Sequence, residues 1–156
     1  MRRLFTLVVS VIALVVASCS NDAAITGSNI NPFDDDIISF VDNDVKIRCV
    51  ANWDTDGDNE LSKTEASKVT SLGGVFTRCD DIVAFDELRY FTGLTEIDPE
   101  AFYGADNLSK ITLPKSIKSI GEWAFAYCER LKELNINEGV TKIGYDAFFT
   151  VEILRV

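Results

Sequence analysis

Ile97-Asp-Pro-Glu-Ala101-Phe102, Ile120-Gly-Glu-Trp-Ala124-Phe125 and Ile143-Gly-Tyr-Asp-Ala147-Phe148 repeat one register at an interval of 23 residues. Leu108 and Leu131, Ile111 and Leu134, Leu113 and Ile136, and Ile117 and Val140 keep the same step. Self-similarity at a fixed period in this range marks a stacked-repeat architecture. One such unit has too little apolar surface to form a core, so neighbours must stack and share one. Within a unit, Leu108-x-x-Ile111-x-Leu113 alternates like a strand until Pro114, which cannot donate to a sheet ladder. Ile117-x-x-Ile120 is a second short extended piece, and Glu122 to Cys128 is expected to form a helical turn carrying Ala124 and Phe125. Phe102, Phe125 and Phe148 align with the isoleucines and are expected in the core.

Upstream, Ser71-Leu-Gly73-Gly74 supplies a turn. Ile82, Phe85, Leu88, Phe91 and Leu94 then recur every three residues. This reads as an irregular first coil that shields the open end of the stack. At the other end the third repeat breaks off in Phe149-Thr-Val-Glu-Ile-Leu-Arg-Val156. The expectation is a truncated stack whose apolar C-terminal edge self-associates or frays.

The bulk numbers fit a scaffold. A chain of 156 residues holds one modest domain, and 47% apolar content is globular. Fifteen Lys and Arg against 25 Asp and Glu give −10, which argues against nucleic acid or an anionic bilayer as partner. With no histidine, a Ser-His-Asp triad, a Cys-His pair and a His-ligated zinc site are all excluded. A two-carboxylate glycosidase has acids enough, but no pair is singled out and short coils form no deep cleft. The chain is therefore not expected to be an enzyme.

Part of the acid is concentrated in Asp54-Thr-Asp56-Gly-Asp58-Asn-Glu60-Leu-Ser62-Lys-Thr-Glu65. A hard cation takes six to eight oxygens, and alternate positions of a wrapping loop face it. The stretch matches an EF-hand loop, with side-chain oxygens from Asp54, Asp56 and Asp58, the carbonyl of Glu60, Ser62 through water and Glu65 with both oxygens. Asn59 stands where glycine is usual, and Asn tolerates positive φ better than other residues. A capped turn is the plainer reading, since Ser62-x-x-Glu65 is a capping box by itself. It leaves five carboxylates in twelve residues beside Lys63 alone unexplained. Such crowding is unfavourable without a cation. One structural Ca2+ is expected here. Val41, Val45, Cys49 and Trp53 place a helix before the loop, capped by Asp42 or Asp44, and Lys63 to Val69 form the exiting helix.

At the amino terminus Met1-Arg2-Arg3 precedes an apolar run from Leu4 to Ala17, too short to span a membrane and suited to a secretory signal. It ends in Val16-Ala17-Ser18-Cys19, which resembles the lipobox of bacterial lipoproteins. That resemblance implies lipidation at Cys19 and attachment in the cell envelope, at the outer membrane; several acyl chains anchor stably where one does not. Residues 20–36 read as a polar tether, and Asp34–Asp36 as a solvated charge run.

Two further resemblances follow. Leu108-x-x-Ile-x-Leu-Pro-x-x-Ile-x-x-Ile-Gly-x-x-Ala-Phe125 is similar to the BspA-like leucine-rich repeat of bacterial cell-surface proteins, which often start with a lipobox and carry an EF-hand-like segment. It implies an α/β fold, a short right-handed β-α solenoid, with binding or adhesion as function and a protein or glycan ligand on the repeat surface. Asn137 departs from it by replacing the proline. The acidic loop also resembles a dockerin repeat, which implies calcium-dependent assembly, but dockerins carry a second loop that this chain lacks. A fragment without function of its own is a further alternative. The organisation expected is a signal over 1–18, a tether over 19–36, a helix-loop-helix over 37–70 and a cap coil with repeats over 71–156. Cys128 is expected in the core; Cys49 and Cys79 could pair in an oxidising envelope, though free and buried thiols fit better.

Overall fold

The computed structural model describes residues 36–151. The signal, Cys19, nearly all of the tether and the last five residues lie outside them. Helices α1 (Asn43–Trp53) and α2 (Lys63–Lys68) flank the acidic loop. Six short strands follow: β1 (Ala84–Phe85), β2 (Glu96–Ile97), β3 (Lys110–Thr112), β4 (Ser119–Ile120), β5 (Glu133–Asn135) and β6 (Lys142–Ile143). They form two parallel sheets, ordered β1-β3-β5 and β2-β4-β6. Register follows the sequence period, with Ile111 opposite Leu134, and Ile97, Ile120 and Ile143 in one row. Each coil thus contributes one strand to each sheet, and its apolar residue points to a shared interior.

The first coil is more complete than its sequence suggests. Phe85 pairs with Ile111 and Ile97 with Ile120, so 12 residues separate the two strands in coil one and 9 in coil two. The three extra residues are taken up by a 3₁₀ helix, Asp86–Tyr90. Ile82, Phe85, Leu88, Phe91 and Leu94 are all fully buried. Counting back from this offset places Phe76 under Phe102, and the core becomes a column of rings: Phe76, Phe102, Phe125 and Phe148, with centroids 5.4, 5.2 and 5.4 Å apart.

The third face corrects the expected helical turn at Glu122–Cys128. It is a run of turns, in which Ala126 N–H bonds the Trp123 carbonyl and Cys128 N–H the Phe125 carbonyl. Alternate residues face the next coil instead: Glu100, Phe102 and Gly104 donate to the carbonyls of Glu122, Ala124 and Ala126. Trp123, Phe125 and Tyr127 donate in the same way to Tyr145, Ala147 and Phe149. The physical reason is the backbone. Trp123 has φ of 56° and Tyr127 of 60°, and such residues swing N–H and C=O groups out of a helical path. Glu100, Asp146 and Thr150 share this conformation.

Close stacking also explains the Ile-Gly steps. A Cβ on Gly121 would lie 2.5 Å from the backbone nitrogen of Pro99, and one on Gly144 equally close to that of Glu122.

α1 is fastened to the repeats by Asp42. One carboxylate oxygen caps the helix, accepting from Asp44 N–H at 2.9 Å and Val45 N–H at 3.3 Å. The other accepts from Val83 N–H at 2.6 Å and Ala84 N–H at 3.2 Å, at the start of β1. The cap is thus Asp42, and Val41 precedes it at 82% exposure rather than joining the buried face of Val45 and Cys49. Of the Asp34–Asp36 run only Asp36 is described; its carbonyl accepts from Lys63 N–H at 2.6 Å and its carboxylate from Thr64 N–H at 3.3 Å.

A candidate metal centre and the outward faces of the repeats

The acidic loop is shaped by its own carboxylates. Asp54 accepts from Gly57 N–H at 2.7 Å with one oxygen and from Asn59 N–H at 3.0 Å with the other. Asp58 N–H bonds Asp56, and Glu60 N–H bonds Asp58. The chain turns through Gly57 at φ 79° and Asn59 at φ 67°, the left-handed conformation that Gly and Asn tolerate better than other residues. Leu61 is fully buried, and its carbonyl accepts from Ile38 N–H at 2.9 Å beside an antiparallel bridge between Ile37 and Ser62.

Of the six residues proposed as ligands, Asp54, Asp56 and Asp58 come together, with carboxylate oxygens within 4.8 Å of one another. Glu60 turns aside to Lys46, 2.6 Å away. Glu65 and Ser62 engage each other in the capping box. One Glu65 oxygen accepts from the Thr55 N–H and hydroxyl, the other from the Ser62 N–H and hydroxyl. Burial alone would raise the Glu65 carboxyl; these bonds outweigh it and bring the pKa down to about 2. At Asp56 the backbone bond from Asp58 pulls downward, yet desolvation and the charges of Asp58, Glu65 and Asp54 leave the net shift upward. A hard, oxygen-seeking cation fits this donor set, since it would relieve the repulsion felt at Asp56.

The three described cysteines are free and buried. Burial raises the Cys49 thiol and pushes Cys128 up to about 12, so neither is poised as a nucleophile.

On the first sheet, outward polar groups satisfy one another. Lys110 lies 2.9 Å from Asp86 and 3.6 Å from Glu133, and the Thr112 hydroxyl donates to Asp86 at 2.6 Å. The turn face differs. Tyr103, Trp123, Tyr127, Tyr145 and Phe149 form a connected row of rings across three coils, with centroids 5.3–6.4 Å apart. Tyr145 is 69% and Phe149 44% exposed. A depression of about 350 Å³ lies between Arg78, Glu100, Tyr103, Trp123 and Tyr127. Column-by-column comparison of repeats misses this row, because only Tyr103 and Phe149 share a repeat position. The available signal was aromatic residues flanking each core Phe.

Among the described residues no helix is long and apolar enough to cross a membrane. No match is found among curated proteins or among solved structures. A family model described as BspA type leucine rich repeat region, in six copies, matches residues 62–156. That is more than half of the chain, and together with the in-register parallel coils it settles the affiliation: the protein belongs to the BspA type leucine-rich repeat family.

Proposed function

We propose that this protein is a lipid-anchored binding or adhesion protein of the bacterial cell surface, with one calcium ion in its acidic loop. Leucine-rich repeats of this family are in general binding scaffolds rather than enzymes. The observation that carries the reading is the strict register of the coils, which turns outward side chains into continuous rows. Such rows are how stacked repeats recognise extended ligands. Calcium would be held by Asp54, Asp56, Asp58 and Glu65, with the Glu60 carbonyl and Ser62 through water, and it would stiffen the segment leading into the repeats. Ile37 and Ile38 occupy the backbone edge of the loop at Leu61, where a second loop would have to pair, which favours a structural ion over a dockerin-like assembly role. Attachment through Cys19 rests on the Val16-Ala17-Ser18-Cys19 stretch.

The full chain, screened on arrays of glycans and extracellular-matrix proteins with calcium and with chelator, should return a ligand. Cys19→Ser should abolish fatty-acid labelling and release the protein from the membrane fraction. Empty arrays under both conditions would refute the binding role, and unchanged partitioning into detergent would refute the anchor.

A further inference from the structure

From Asp98 onward charge in the repeats is segregated by face; the coil before it, with Arg78 on the turn face and Asp86, Glu87 and Glu96 in its strand segment, is mixed. The turn segments 98–106, 121–129 and 144–150 carry six Asp and Glu and no Lys or Arg. The intervening segments 107–120 and 130–143 carry six Lys and Arg against two Glu. Carboxylates and rings therefore share one face. Glu100, Glu122 and Asp146 stand beside Trp123 in its own coil and in both neighbouring coils, linked by the Glu100-to-Glu122 and Trp123-to-Tyr145 backbone bonds. Glu100 lines the same depression as Tyr103, Trp123 and Tyr127.

An aromatic row of this length costs solvation unless something covers it. From this juxtaposition we propose that the turn face, centred on Trp123 and Tyr127, is the recognition surface of the repeats and takes an arginine- and lysine-bearing polypeptide segment. The inference rests on the binding function proposed above and specifies its face and its partner. A guanidinium or ammonium group lies favourably over an aromatic face, its alkyl stem covers apolar ring area, and carboxylates at the rim neutralise it. The near end of the row already holds one such contact: the Arg78 guanidinium sits 5.7 Å from the Tyr103 ring centre. Among the described residues no such cation covers Trp123, Tyr127, Tyr145 or Phe149. The formal charge of −10 would also draw a basic partner over longer range. The first sheet offers less, because Lys110, Asp86 and Glu133 already neutralise one another there.

The test is calorimetric titration of the full chain with three synthetic peptides alternating glycine with arginine, lysine or glutamate. The arginine and lysine peptides should bind, more weakly as salt rises, and the glutamate peptide should not. Trp123→Asn, chosen because Asn accepts the positive φ there, and Tyr145→Ser, at an exposed position, should each weaken binding about tenfold, the loss typical of an aromatic hot spot. Lys142→Glu, on the second sheet, should leave it unchanged or slightly stronger. Melting curves confirm that the variants fold. Full binding in both aromatic variants, or loss only in Lys142→Glu, overturns the inference. So does a glycan as the sole ligand competing at Trp123, or concentration-dependent self-association abolished by Tyr145→Ser, which would make a second copy the occupant. Silence of the basic peptides while the arrays return ligands defeats this inference alone; silence of both defeats the proposed function with it.

Discussion

The ring of Phe125 lies parallel to that of Phe102, with centroids 5.2 Å apart and planes tilted by 2°, and Phe148 repeats the relation on its other side at 5.4 Å and 2°. Identical side chains at one step of the period adopt one conformation, so each ring is the floor of the next. Phe125 is fully buried, whereas Phe148 is only partly so. Phe125→Ala should cost about 3–5 kcal/mol, the usual range for truncating a buried Phe, and Phe148→Ala clearly less. Denaturant unfolding of the two variants measures the difference; equal penalties would contradict the stacked column.

Asp42 joins two elements with one carboxylate. Asp42→Ala removes a helix cap, worth about 0.5–2 kcal/mol, and leaves the part-buried N–H groups of Val83 and Ala84 without their acceptor, which adds less than the cost of about 1–3 kcal/mol for a fully buried donor. The loss should exceed that of an ordinary cap, and hydrogen exchange should quicken at Val83 and Ala84 as well as in the first turn of α1. Protection unchanged at Val83 would show that the second oxygen contributes nothing.

Gly121 is required by distance. With Pro99 N and Asp98 C both under 3 Å from a Cβ at that point, Gly121→Ala must push two coils apart. It should cost about 1–3 kcal/mol, the range for overpacking. Gly74→Ala, whose Cβ would meet only the Thr77 hydroxyl at 3.5 Å, serves as the contrasting control in the same melting experiment.

Asp86 gives the first sheet a pH dependence. Burial would raise its carboxyl, but the bonds from Lys110 and Thr112 and the charges of Lys110 and Arg89 outweigh it, so the group lies below its ordinary value. A depressed folded pKa stabilises the protein above the unfolded value, about 3.9 for Asp, and this contribution is lost as pH falls through the folded pKa. Asp86→Asn should therefore lower the melting temperature at pH 7, with the gap to the parent protein closing in acid. A gap of constant size from pH 7 to pH 2 would rule out a charge effect.

Calcium should act through mass action. The proposed single-ion loop, at the surface location proposed above, would need a Kd only on the order of 10⁻⁴–10⁻³ M. Calcium at ten times that value should add about 1.4 kcal/mol of stability. Asp54→Ala with Glu65→Gln should erase the increment, and a melting curve that ignores chelator would leave the loop a capped turn.

The repeat and the capping box that closes the acidic loop were legible because each rests on a period or a spacing carried by side-chain type. Ile, Ala and Phe at 23-residue steps have one way to share a core, and Ser62 with Glu65 has one way to cap a helix. The turn face was not legible. Glu-Trp-Ala-Phe-Ala-Tyr-Cys, read locally, favours a helix, and only hydrogen bonds from neighbouring coils hold Trp123 and Tyr127 at positive φ against that preference. Phe76 escaped notice for a related reason. The 3₁₀ helix inserts three residues into the first coil, so the ring beneath Phe102 stands 26 residues back instead of 23. The alignment of Ile136 and Ile143 with core positions misled in the other direction. Both are more than 40% exposed, because among the described residues their coil is flanked on one side only.

The backbone hydrogen bonds between coils on the turn face all run one way. Arg78, Glu100, Phe102, Gly104, Trp123, Phe125 and Tyr127 each point N–H toward the higher-numbered coil, and each receiving carbonyl points back. Strands of the two sheets, by contrast, exchange donors and acceptors with the same neighbour. Aligned peptide dipoles add, as they do along a helix, so the stack is a polar rod with a front and a back. Two copies meeting front to front would set N–H against N–H along this face. A further coil laid against Tyr145–Phe149 would therefore continue this face only by running in the same direction as the coils before it.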